Sequence, residues 1–266
     1  MSSTICFSDH TLAARRRENT QAKAKTMPDR LRAKWVMVAA VICGCGWVAL
    51  LAAFPTGSPL LRPHWPLETV LWWDTGLSLL FFLQHSGMVR RKFRARMATV
   101  IPPHYHGATY AIVSGVTLAI VILLWQPSGE HVIVLEGLAR QATQACIILA
   151  ILFFIWGVIA LRSFDPLGLG SIRAYLRGIK QRPPSFVVRG PYRWMRHPLY
   201  FGVLLIIWAN PDVTADRLLF DILWTAWICV GAWLEEADLL RDFGDAYERY
   251  RRKVPILIPW RGPVKL

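Results

Sequence analysis

Apolar residues in this chain run together in long blocks separated by polar, mostly basic stretches, instead of alternating with polar ones at the period of a soluble amphipathic helix. The clearest block is residues 35–54, twenty positions in a row that are apolar or glycine. At about 1.5 Å of rise per residue, such a helix matches a hydrocarbon layer of roughly 30 Å. Blocks at 67–85, 107–125 and 143–161 predict three more spanning helices, the last carrying an unbroken apolar run from Cys146 to Leu161. After a long polar stretch come 199–210 and 218–234, separated by Asn210-Pro211-Asp212, a turn sequence that predicts a helical hairpin. Its first arm is short for a perpendicular crossing, so it begins inside the preceding motif or crosses where the bilayer is thin. The pattern predicts an all-α, polytopic transmembrane bundle of about six spans. Its parts are a basic, flexible N-terminal extension (1–34), four spans (35–161) and a C-terminal region (162–266) holding the hairpin and a surface helix.

Charge turns these spans into a topology. The 266 residues are 54% apolar and 18% charged, with 31 Lys plus Arg against 17 Asp plus Glu, and a formal net charge of +14. A mean hydropathy of +0.34 with 13 Trp excludes a disordered basic tail and a soluble nucleic-acid binder. Of the 31 basic residues, 28 fall in the N-terminal extension, in 86–104, in 162–196 and in 234–266; Arg62, Arg140 and Arg217 are the exceptions. The positive-inside rule then puts both termini and all the basic loops in the cytoplasm, in a cell membrane that is the inner one where there are two. Topology and membrane lipids therefore account for the charge, at about 1 kcal/mol per basic residue near anionic headgroups, and no nucleic acid or protein partner is needed. The extension holds no apolar core for a cleaved signal, which leaves the first span as the targeting signal. Cys43 and Cys45 point to different helix faces, and Cys6, Cys146 and Cys229 are isolated, so no metal site is expected. The unequal spacing of the spans argues against a transporter of two matching halves.

Ionisable residues inside spans are costly and invite a reason. Asp74 and Asp221 lie toward the outer side, where a structural or interfacial role is expected, and Gln84-His85-Ser86 sits at the cytoplasmic end of the second span. The densest polar signal runs from Pro183 to Gly202 and includes Arg189-Gly190-Pro191-Tyr192 and Arg196-His197-Pro198-Leu199-Tyr200. Pro198 suits the first turn of a helix, so Arg196 and His197 stand at the mouth of the fifth span, where free backbone N–H groups would favour an anion. Interleaved aromatic and basic groups there suit a ligand with a ring, a carboxylate and a ribose; an ordinary basic loop with interfacial Tyr and Trp has the same composition. Glu235 and Glu236 close the last span, a poor place for acids on both topological and helix-dipole grounds, which points to a compensating cation. From Asp238 on, Leu239, Leu240, Phe243, Tyr247, Tyr250 and Val254 share one helical face, predicting an amphipathic surface helix that stops at Pro255, with a tail or lid around Pro259.

The order Gly190-Pro191-Tyr192, Arg196-His197-Pro198-Leu199-Tyr200, Gly202, Glu235-Glu236, Leu239, Phe243-Gly244, Tyr247, Tyr250, Val254-Pro255 and Pro259 resembles the isoprenylcysteine carboxyl methyltransferase and phospholipid methyltransferase group of membrane enzymes. Gln84-His85-Ser86-Gly87-Met88, Pro102-Pro103, Trp125 and Ser163-Phe164-Asp165-Pro166-Leu167-Gly168-Leu169 make the rest of the chain most similar to the bacterial methanethiol S-methyltransferases, related to NnrU-type membrane proteins. The resemblance implies S-adenosyl-L-methionine (S-adenosylmethionine) as methyl donor in a cytoplasmic pocket and a small thiol as acceptor, methanethiol going to dimethyl sulfide. It implies a cofactor-contacting set of Phe186, Val187, Tyr192, His197, Pro198, Leu199 and Tyr200, with Glu235 as the essential carboxylate; the residue patterns add Glu236 to the cofactor set and, with Glu235, make His197, His85 and Arg196 candidate catalytic residues. Whether Glu235 takes a proton or holds the cofactor's ammonium group stays open. The prenylcysteine enzymes carry a basic residue four positions before that glutamate, where this chain has Gly231, which favours a neutral acceptor. A prenylcysteine or lipid methyltransferase, and a non-catalytic NnrU-type protein, are the alternatives.

Overall fold

The computed structural model describes residues 27–53, 65–161, 165–179 and 186–264. Most of the basic extension, Ser163-Phe164 and Pro183-Pro184-Ser185 lie outside the described residues. The helices are α1 (Met27–Ala53), α2 (Leu67–Val89), α3 (Arg91–Met97), α4 (His106–Leu124), α5 (Gly137–Ala160), α6 (Leu169–Arg177), α7 (Pro198–Trp208) and α8 (Ala215–Lys253). Among the described residues, three helical stretches are long and apolar enough to cross a membrane, Pro103–Leu124, Gly137–Ala160 and Ala215–Phe243, and α7 is a shorter apolar helix. The predicted helix-rich membrane bundle is therefore present. α1 begins at Met27, so the last part of the extension expected to be flexible is helical instead.

Because the surroundings are apolar too, these helices carry hydrophobic residues on both their inner and outer faces. Trp72, Leu83, Leu149, Ile159 and Trp233 point outward, while Leu77 and Phe81 of α2, Leu118 and Val121 of α4, Ile207 of α7, and Phe220 and Trp224 of α8 make the central core. α1 packs on α4, α4 on α2, α2 on α8, and α5 on α7. Small residues permit the close approaches, as is usual where van der Waals packing drives association. A Cβ on Gly115 would lie 2.1 Å from the Cys43 carbonyl oxygen, and one on Gly157 would lie 2.7 Å from Leu199.

Two features depart from the sequence expectation. First, a short ribbon joins the all-α bundle: β1 (His131–Val134) pairs antiparallel with β2 (Asp212–Thr214), tying the α4–α5 loop to the turn of the hairpin. Arg140 reinforces the tie through both oxygens of Asp212, at 2.9 and 2.5 Å. At this end Asp74 accepts the Gln126 backbone N–H at 3.0 Å, and Asp221 pairs with Arg217 at 3.2 Å, which accords with the structural role expected of both. Second, the last span and the amphipathic helix are not separated at Glu235-Glu236. α8 continues through both glutamates and breaks at Gly244, whose φ of 53° and ψ of −132° only glycine adopts readily.

Candidate functional site

At the end of the bundle opposite the β ribbon, a cavity of about 520 Å³ opens between the end of α5, the 186–189 segment, the start of α7 and the C-terminal half of α8. Of the residues singled out from sequence, Phe186, Val187, Tyr192, Arg196, His197, Leu199, Tyr200 and Glu235 line it. Pro198 and Glu236 stand behind the wall, and His85 is not among the lining residues. The order of construction is legible locally. Pro191 starts a short 3-10 turn (Gly190–Arg193), and Pro198 occupies the first turn of α7 with His197 as its N-cap. The turn between them throws Arg196 and His197 toward α8.

There the two acids of α8 take different tasks. Glu236 is 7% exposed and receives three donors: the Arg196 guanidinium on Oε2, and on Oε1 the His197 Nε2–H at 2.8 Å and the Tyr247 hydroxyl at 2.6 Å. Glu235 is much more open, facing the cavity, with Oε2 at 3.5 Å from His197 Nδ1 and the Tyr200 hydroxyl as a further hydrogen-bonding partner. The cation that the glutamate pair required is thus Arg196 with His197. Burial would lower the pKa of His197, but the hydrogen bonds and charges of Glu235 and Glu236 outweigh it and raise the value above the ordinary one. Tyr247 is raised as well, by burial first and then by its bond to Glu236, so its phenol stays protonated and donates.

The two backbone N–H groups just before α7 are tied to the C-terminal tail. Arg196 N–H donates to the Pro255 carbonyl at 2.9 Å and His197 N–H to that of Ile256 at 3.1 Å. The tail after Pro255 therefore runs back along the motif, where Val264 also exchanges hydrogen bonds with Arg193. The amphipathic face of α8 does not lie on the membrane surface: Tyr247, Tyr250 and Val254 form a small core with Phe186 and Val188, the Phe186 ring lying 5.4 Å from Phe243 and from Tyr250 and 5.7 Å from Tyr247.

Gln84-His85-Ser86 turns inward. His85 Nε2 is 2.6 Å from the Tyr110 hydroxyl, its Nδ1 is 3.2 Å from Ser114 Oγ, and Ser86 accepts the Trp227 indole N–H at 3.0 Å. The triplet joins α2 to α4 and α8. Tyr110 is also near enough to Glu235 and Tyr200 to interact electrostatically, which links this pair to the cavity's inner wall.

The family model described as NnrU protein matches residues 75–254, a stretch that contains every lining residue of the cavity and the His85 triplet. The chain belongs to the NnrU protein family. Among its relatives, a protein named methanethiol S-methyltransferase from a Pseudomonas species is 36% identical over 206 residues, 76% of this chain and 77% of its own length. One of the same name from Mycobacterium tuberculosis is 32% identical, over 68% of this chain and 75% of its own. Nurim from Sus scrofa is 26% identical over 71% of this chain. No solved structure matches. This NnrU-family chain is a membrane methyltransferase of the kind those bacterial relatives represent.

Sequence reasoning missed several lining residues of the NnrU-family cavity: Leu239, Phe243, Tyr247 and Tyr250 of α8, and Ala160, Leu161, Val188 and Arg189. The signal was present in the rings at 243, 247 and 250, which share a face. Sequence alone sends that face to the membrane surface, because its partner, Phe186, is some sixty residues away. Tyr110 carried no signal, since a lone tyrosine near the start of a span has the composition of any interfacial residue.

Proposed function

We propose that this chain transfers the methyl group of S-adenosylmethionine to methanethiol, releasing dimethyl sulfide, in a cavity on the cytoplasmic side of a six-span bundle with both termini in the cytoplasm. The observation that carries the reading is the donor set of the cavity. It holds a half-exposed carboxylate in Glu235, a buried guanidinium nitrogen without a hydrogen-bond partner in Arg196 Nε, and a wall of rings from Phe186, Tyr192, Tyr247 and Tyr250. A zwitterionic, ring-bearing, cationic molecule suits all three, and about 520 Å³ is within the usual range of cofactor sites.

Bound there, S-adenosylmethionine supplies an electrophilic methyl on a positively charged sulfur. Glu235 would face its sulfonium, Arg196 Nε its carboxylate, and Phe186 and Tyr192 its base, while Val187 and Leu199 exclude water from the reacting atoms. Pro198 and Glu236 act from behind by holding Arg196 and His197 in place. The acceptor must be a thiolate to react well, so a group at the cavity must hold the thiol proton. His197 Nδ1 and Glu235 would take it at the cavity, while His85 and Tyr110, which do not line the cavity, would act only through Glu235 or Tyr200. No covalent enzyme intermediate is needed, so orientation and water exclusion supply the acceleration.

A carboxylate-bearing prenylcysteine acceptor is disfavoured by Gly231, which has no side chain to bind it and open space around it. The test is headspace analysis of cells that express the chain and are given methanethiol. Dimethyl sulfide above the empty vector, lost in Glu235→Ala, supports the reading. None, with the protein shown to be in the membrane, removes it.

A further inference from the structure

We propose that Glu236 is the positioning residue for His197, and that loading a cationic methyl donor beside Glu235 expels one proton from the His197 ring. The inference rests on the reading of the cavity as a site for S-adenosylmethionine, and deepens it.

The geometry fixes which nitrogen of His197 faces which carboxylate. Nε2 lies 2.8 Å from Glu236 Oε1 and donates to it; Nδ1 lies 3.5 Å from Glu235 Oε2. Glu236 cannot turn away, because Tyr247 donates to the same oxygen and Arg196 occupies the other. Nor can the ring, which is 6% exposed and stacked on Tyr200 with centroids 5.3 Å apart, and whose backbone N–H is tied to Ile256. With a carboxylate opposite each nitrogen, a neutral ring would aim a lone pair at Glu235, whereas an imidazolium satisfies both. The charged groups facing the ring are Glu235 and Glu236 of α8 and the adjacent Arg196; the phenols are Tyr247 of α8, Tyr200 of α7 and, from the 3-10 turn, Tyr192 by way of Glu235. With His197 protonated, the two cations and two anions of this cluster balance.

S-adenosylmethionine carries one net positive charge, from its sulfonium. Placed against Glu235, that charge takes over the carboxylate that had held the proton on Nδ1, leaving two cations to compete for one anion in a largely buried place. The proton leaves to solvent, the N–H bond breaking and its electron pair remaining on Nδ1. The ring keeps its Nε2–H on Glu236 and now presents a lone pair to the cavity, as a thiol acceptor requires. S-adenosylhomocysteine has the same skeleton without the sulfonium charge, so it leaves His197 protonated.

Isothermal titration calorimetry of the native protein in detergent, in two buffers of different ionisation enthalpy near neutral pH, counts the protons. About half a proton or more is released per S-adenosylmethionine bound, and close to none per S-adenosylhomocysteine. Glu236→Gln keeps the shape but removes the carboxylate behind Nε2, so His197 starts largely neutral and the release falls by about half or more. Equal proton counts for the two ligands overturn the linkage, and an undiminished release in Glu236→Gln overturns the role of Glu236. If neither ligand binds, both the inference and the functional reading fall; if both bind with no release, the inference alone falls.

Discussion

Gly244 is the point at which α8 turns the rings of its last two turns onto the cavity, and a single methyl group there tests the arrangement. A Cβ at this position meets no atom within 4 Å, so Gly244→Ala introduces no clash. Its cost is confined to the backbone: φ is 53° with ψ at −132°, a conformation that strains an L-residue by about 1–3 kcal/mol. Straightening the helix would relieve the strain, but only by lifting Tyr247, Tyr250 and Val254 from Phe186 and withdrawing the Tyr247 hydroxyl from Glu236. The strain therefore falls on the docking of the segment after Gly244. At about 1.4 kcal/mol per tenfold, it should raise the opening equilibrium of that segment by about 5- to 150-fold. Hydrogen exchange followed by mass spectrometry on the protein in lipid nanodiscs reads this directly: amides of residues 247–254 lose protection by that factor, and amides of 218–234 do not. Gly231→Ala is the internal control. It lies in the regular part of the same helix with equally open space, and should be neutral or stabilising by about 0.5–1 kcal/mol. Unchanged protection in Gly244→Ala, or an equal loss along the whole of α8, would refute the argument that this glycine hinges the cavity wall.

Tyr247→Phe keeps the ring against Phe186 and deletes one donor to the buried Glu236; a hydrogen bond to a charged group contributes about 1.5–3 kcal/mol, so denaturant unfolding should show a loss in that range, with His197 and Arg196 still holding the carboxylate. Since the folded-state pKa of His197 is raised above its ordinary 6.5, the stability it contributes is fully present below that value and is lost as pH rises through the folded one. The melting temperature of the ligand-free protein should accordingly fall as pH rises above about 6.5, and His197→Gln should flatten the profile. Gly157→Ala would place a methyl 2.7 Å from Leu199, whose flexible side chain can yield only toward the cavity it lines; cofactor affinity should drop in direct titration while thermal stability changes little.

The apolar blocks alone set the helices, because burying a backbone in hydrocarbon demands that each segment satisfy its own hydrogen bonds, and a run of twenty apolar residues has no other way to do so. α2, α4 and α7 start and stop within a few residues of the blocks that predict them. The sequence alone divides α8 at Glu235-Glu236, which look like a helix end, because the charges that neutralise them, Arg196 and His197, lie some forty residues earlier. The β ribbon is invisible in the sequence because its strands are four and three residues long and, among the described residues, pair with each other alone.

Local sequence thus determined the class of protein, most of its helices, and that Glu235-Glu236 needs a compensating cation, since an acid pair at the end of an apolar run carries a physical cost that needs relief. What only the tertiary structure decided is the division of labour within the motif. Glu235 faces the cavity and Glu236 is buried beneath His197, although the two are adjacent and identical in type. Adjacent positions on a helix point about 100° apart, so while Glu235 faces the cavity, Glu236 faces Arg196, His197 and Tyr247. Composition and spacing are the same for either orientation, and packing alone selects between them.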